Sequence, residues 1–146
     1  MRVLGVDYGD RHIGLALSDP LLITAQPFGS YELTGRDDVD RAYFRDLVER
    51  YDVAEIVVGN PLRMDGSSGT RTDLTRRFAD WLERAAGRPV VLLDERLTTQ
   101  QALKTLDDVK LRGKKKKDWE DRIAAVIILS TYLERKRGET GGRQGS

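Results

Sequence analysis

The sequence contains no cysteine and a single histidine, His12, in 146 residues. The first absence excludes a disulfide scaffold, a thiolate zinc site and a cysteine nucleophile together. With one histidine besides, a metal would have to be held by carboxylate oxygens, which suits Mg²⁺, Mn²⁺ or Ca²⁺. Long apolar runs are missing too. The longest, Ile123 to Leu129, falls far short of the roughly 20 residues that a membrane-spanning helix needs. The N-terminal stretch MRVLGVDYGD meets Asp7 and Gly9 before a secretory apolar core can form. No internal repeat is present. The expectation is a cytoplasmic protein with no membrane partner.

What is present is a chain of 39% hydrophobic and 34% charged residues, long enough for one domain with one core. The expected domain covers residues 1–137, with 138–146 a Gly-rich, disordered tail. The net charge of +1 hides an asymmetry. From Arg96 to Arg137 there are 12 Lys and Arg against 6 Asp and Glu, a local balance of +6, which leaves −5 for the rest. A basic C-terminal third suits a polyanionic partner.

Local patterning predicts strands over Arg2–Tyr8 and Ile13–Leu17 forming a hairpin, and a third strand over Ile23–Leu33. Pro27 and Gly29 mark that third strand as bulged or as an edge. A helix follows over Asp37–Tyr51, then a strand over Ala54–Gly59, a loop over Asn60–Gly69 and a helix over Thr70–Ala86 ended by Gly87. Pro89–Asp94 reads as a buried strand and Thr98–Leu106 as a short helix. Asp108–Lys117 reads as a basic loop, and Asp118–Lys136 as the last helix. The order β-β-β-α-β-α-β-α-α implies an α/β fold with a mixed sheet flanked by helices.

Several residues could carry chemistry. Asp7 interrupts an apolar strand, where a carboxylate is costly unless it is paired or metal-bound; the alternative is a solvated strand end. Asp94 and Glu95 end the last strand, where α/β sheets place ligand sites, and strand alternation sends them to opposite faces. Asp121 could be an acid at a helix N-terminus or a ligand. Asp118, one turn earlier, is a cap or a fourth ligand. Carboxylates from separate elements are what a pair of Mg²⁺ ions requires. The loop GNPLRMDGSSGTR could bring backbone N–H groups up to a phosphate, or could be an ordinary loop. It lacks the Gly-Lys-Ser/Thr ending of a Walker motif. Lys114 to Lys117 are either a solvated run or a phosphate-steering one. His12, in the hairpin turn, is not expected to be catalytic.

The stretches VDYGDRHIGLALSDP, VVGNPLRMDGSSG, LDERLTT and DRIAAVIIL resemble the YqgF/RuvX family, whose members are described as Holliday-junction-resolvase-like proteins and pre-16S ribosomal RNA nucleases. The resemblance runs from Val3 to about Leu133. It implies a ribonuclease-H-like fold, with the family's acidic residues falling on Asp7, Glu95 and Asp121 as catalytic metal ligands. The activity implied is phosphodiester hydrolysis with Mg²⁺ or Mn²⁺, leaving a 5′-phosphate and a 3′-hydroxyl. Arg96, Gly66, Ser67, Gly69 and Lys114, Lys115, Lys116 and Lys117 are the expected substrate contacts. Asn60 stands where the family often has other residues. Nucleic acid is the expected partner, RNA favoured and a DNA junction the alternative, with monomer or homodimer open. Two rivals stand beside this reading. Asp-x-Gly before an Ile-Gly strand also resembles the first phosphate motif of actin-like ATPases, but those need two domains. A non-catalytic nucleic-acid-binding assembly factor on the same fold is the other.

Overall fold

The computed structural model describes residues 1–9, 12–60, 70–94 and 116–144, with the backbone alone at residue 70 and over 116–122 and 139–144. Strands β1 (Arg2–Tyr8), β2 (His12–Ser18) and β3 (Ala25–Glu32) come first. Helix α1 (Asp37–Arg50), β4 (Val53–Asn60), α2 (Thr70–Ala86), β5 (Val90–Asp94) and α3 (Lys116–Gln144) follow. The five strands form one sheet in the order β3-β2-β1-β4-β5. β2 is antiparallel to β1 and to β3, whereas β1–β4 and β4–β5 are parallel, so the sheet is mixed as expected. β3 lies at an edge, and its register against β2 jumps from Gly29 to Pro27. Pro27 and Gly29 therefore mark both an edge and a bulge.

Alternation along the strands divides the core in two. Leu4, Val6, Ile13, Leu15, Ile56 and Val58 pack under α1 and α2 with Phe44, Val48, Phe78 and Leu82. Val3, Ala16, Val57 and Leu93 point the other way, onto Ala125, Leu129 and Leu133 of α3. Each fully buried Leu, Ile or Phe removes apolar area from water, which is worth about 1.5–3 kcal/mol. α2 ends where Gly87 takes a positive φ of 69° and its N–H reaches the Glu83 carbonyl at 3.0 Å, a left-handed stop that suits glycine.

Differences from expectation gather at α3. Lys116 and Lys117 belong to the helix rather than to the preceding loop, because lysine is a good helix former and the acids at 118, 120 and 121 favour a helix N-terminus. At the other end the helix passes Lys136 and the expected tail from 138 to reach Gln144. No proline follows Pro89 to break its hydrogen-bond ladder. His12 opens β2 instead of sitting in the turn, paired with Glu32 of β3. The expected short helix Thr98–Leu106 lies outside the described residues. No helix among the described residues is long and apolar enough to cross a membrane.

Candidate active site

Asp7 sits near the C-terminal end of β1, on the face that Val3 and Gly5 turn towards α3. Its neighbours across the sheet lack side chains. Gly14 of β2 is its ladder partner, and Gly59 of β4 follows Val58, the partner of Val6. Between this part of the sheet and α3 lies a cavity of about 250 Å³. Asp7, Leu93 and Asp94 line it from the sheet, and Ala124, Ile127, Ile128 and Thr131 line it from α3.

α3 runs antiparallel to β1, and two contacts give its level. Glu55 of β4, paired with Val3, accepts hydrogen bonds from Tyr132 Oη and Lys136 Nζ, both at 2.6 Å. Further up, Gly5 lies so close to the helix that a Cβ there would come 2.7 Å from Leu129 Cβ and 2.9 Å from the Ala125 carbonyl. Two more strand residues advance about 6.6 Å, as far as four to five helix residues. The backbone of Asp7 is therefore level with the turn of α3 that begins at Asp121. Ala124, Ile128 and Thr131 fall three, seven and ten residues after Asp121, the spacing of one helical row.

Buried polar atoms add to the picture. Thr131 is 2% exposed, lines the cavity, and its Oγ1 has no hydrogen-bond partner among the described residues. Asn60, the ladder partner of Asp94, is 6% exposed and its Oδ1 is unpartnered in the same sense. By alternation from Glu55 and Val57, Asn60 turns to the α1–α2 face. Sequence reasoning missed Thr131 and the two flanking glycines. The helical spacing from Asp121 could have singled out the threonine.

Of the expected site residues, Asp7 is placed at the cavity with Asp94 beside it. Asp121 and Asp118, like Lys116 and Lys117, are placed by their backbone in the first turns of α3. Glu95, Arg96, Gly66, Ser67, Gly69, Lys114 and Lys115 lie outside the described residues. Among the described residues no three His, Cys, Asp or Glu side chains converge on one point. The side-chain donors that border the cavity on the α3 face, the Asp7 carboxylate and the Thr131 hydroxyl, are both oxygen, whereas alternation from Leu93 turns the Asp94 side chain to the other face. That chemistry fits Mg²⁺ or Mn²⁺ and does not suit a soft metal.

A model of the RuvX family, described as Holliday junction resolvase, matches residues 1–135. A protein of Lachnospira eligens named "Putative pre-16S rRNA nuclease" is 45% identical over 139 residues, covering 94% of this chain and 99% of that one. Another of that name, from Acetivibrio thermocellus, is 46% identical and covers 93% and 97%. Among solved structures, Thermus thermophilus RuvC in complex with a Holliday junction substrate superposes with a TM-score of 0.63 at 19% identity, covering 94% of this chain and 96% of that one. The yeast mitochondrial Holliday junction resolvase Ydc2 gives 0.51 at 14% identity, covering 90% and 77%. These two likenesses bear on the fold, and they bear out the ribonuclease-H-like arrangement expected from the sequence. With nearly its whole length matched, the chain belongs to the RuvX family.

Proposed function

We propose that this chain is a cytoplasmic, divalent-metal-dependent nuclease that trims the precursor of 16S ribosomal RNA at its 5′ end. The carrying observation is the placement of Asp7, at a cavity between the sheet and α3 and level with the start of that helix. We assign metal binding to Asp7, Glu95 and Asp121, with Asp118 a further candidate. For Asp121 the support is its helical row, whose next members line the cavity. For Glu95 it is its place in the chain, directly after β5 ends at Asp94, with Leu93 of that strand lining the same cavity as Asp7. A divalent ion held there would make a water nucleophilic at neutral pH and offset charge on the leaving 3′ oxygen. The chain's own task is placement. Its carboxylates hold the site on rigid strands and a helix, while Ile127, Ile128 and Leu93 keep the cavity wall apolar. Arg96, the Gly66–Ser67–Gly69 loop and Lys114 to Lys117 are assigned to the phosphate backbone.

The relatives' names support the RNA substrate, and the family description supports the second reading, resolution of DNA junctions. Matched RNA carrying the precursor leader, single-stranded DNA and a four-way junction, each with Mg²⁺ or Mn²⁺, test it. Cleavage of the RNA leader that Asp7→Asn abolishes is the expected result. Preferential cutting of the junction would establish the second reading. Binding with no cleavage of any substrate would leave an assembly factor.

A further inference from the structure

On the sheet face opposite α3, a second cavity of about 350 Å³ opens where the end of β1 meets the seam between α1 and α2. Its floor is aromatic. The Tyr8 and Phe78 rings stack with centroids 4.3 Å apart and planes 13° apart, and Trp81 continues the row at 5.8 Å and 28°. Phe78 is buried and belongs to the core, so core packing accounts for it. It does not account for the rim, where Leu74 is 42% exposed, Trp81 is half-buried and Arg77 borders the opening. Arg77 has no ion-pair partner among the described residues. Two acids border the cleft as well, Asp40 buried and Asp37 with a side chain 63% exposed. Asp37 accepts from Trp81 Nε1 at 2.7 Å and pairs with Arg41 at 2.8 Å, while Asp40 accepts from the Tyr31 and Thr34 hydroxyls at 2.6 and 2.9 Å.

We infer that this cleft holds an unpaired nucleobase of the strand whose backbone lies at Asp7, stacked on Trp81 with Arg77 towards its phosphate. The inference rests on the nuclease reading and extends it to a binding site on the other face. Position and chemistry carry it together. Tyr8 directly follows Asp7 at the C-terminal end of β1, the central strand, so a single strand passing over that end meets the carboxylate on one face and the cleft on the other. The Asp37 bond holds the indole in one orientation, a rigid plane for stacking. Every base has a π-face, so such a platform tolerates sequence, and a guanidinium at its rim suits the attached phosphate.

The test uses the full chain carrying Trp119→Phe, which leaves Trp81 as the only tryptophan, in EDTA so that no strand is cut. It is titrated with a short single-stranded RNA and with an abasic ribose-phosphate oligomer of equal length. RNA should quench Trp81 emission and bind about tenfold more tightly than the abasic strand. Adding Leu74→Glu at the exposed rim, in protein whose melting is unchanged, should erase both effects. Equal affinities with unquenched emission would overturn the inference and leave the nuclease reading standing. So would quenching and affinity that survive Leu74→Glu. An RNA that fails to bind at all in EDTA would also overturn the inference, and the nuclease reading would then rest on the cleavage assay, which supplies the metal.

Discussion

Asp7 has glycine as its ladder partner on β2 and borders the cavity under α3, and that position sets what each nearby acid should do. Asp7→Asn should lower metal-dependent cleavage at least about a hundredfold with the fold retained, since it removes an anionic donor and little volume. Glu95→Gln should do the same. Asp94→Asn should cost no more than about tenfold, as an outer support. Initial rates at saturating Mg²⁺ decide it: loss confined to Asp94→Asn would move the ligand one residue upstream. Asp40 belongs to stability instead. Burial alone would raise its carboxyl, but hydrogen bonds from the Tyr31 hydroxyl, from the Thr34 amide and hydroxyl and from the Gly35 amide outweigh it and hold it below its usual value. A lowered folded-state pKa stabilises above the unfolded value and is lost as pH falls through the folded one. Asp40→Asn should therefore destabilise by about 1–3 kcal/mol at pH 7 and by much less at strongly acidic pH. Tyr31 runs the other way. Burial, then Asp40, pushes its hydroxyl up to about 12, so its contribution is complete below pH 10 and fades as pH rises towards 12. Urea unfolding across pH checks both signs.

Among the elements, α3 is the one whose position matters most, because its first turns come level with Asp7 only while Gly5 lets it lie against the sheet. A Cβ at residue 5 would press on the Leu129 side chain and on a backbone carbonyl that cannot rotate away. Gly5→Ala should destabilise by about 1–3 kcal/mol, and should lower cleavage beyond what stability explains. Leu82→Ala, buried under α2 on the opposite face, is the control, destabilising by about 2–5 kcal/mol with little effect on cleavage by the folded fraction. Equal effects on cleavage at matched folded fraction would show that the seating of α3 is not what the site depends on. Elements with local punctuation were legible in the sequence. α2 spans the expected Thr70–Ala86 because Gly87 ends it, and β3 declares its edge through Pro27. α3 was misjudged at both ends because lysines and glycines read as loop, while backbone hydrogen bonding carries the helix through them. Asp7 was legible as a carboxylate in an apolar strand. The cavity was not, since it needs Asp7 from β1, Leu93 from β5 and Ala124 and Thr131 from α3, and only the fold brings those together.

At the scale of the whole molecule, the charge asymmetry and the fold point the same way. The segment from Arg96 to Arg137 carries the balance of +6, and its helical part begins at Lys116, in the turns of α3 that approach the level of Asp7. A polyanion is thus drawn towards the end of the molecule where the carboxylates need a phosphate. Binding to single-stranded RNA should weaken steeply with salt, because each phosphate neutralised by a cation releases counterions and adds about 0.7 to the slope of log affinity against log salt. Replacing Lys114, Lys115, Lys116 and Lys117 by alanine should reduce that slope by as much as about 3. Cleavage at saturating RNA should persist, since the variant leaves Asp7, Glu95 and Asp121 in place. Asp7→Asn should show the complementary pattern, with cleavage lost and the salt slope kept. Fluorescence anisotropy across a salt series separates the two variants. A slope that the four alanines leave unchanged would make the lysine run a solvated surface, and the attraction would then have to come from Arg96 or from the arginines of α2.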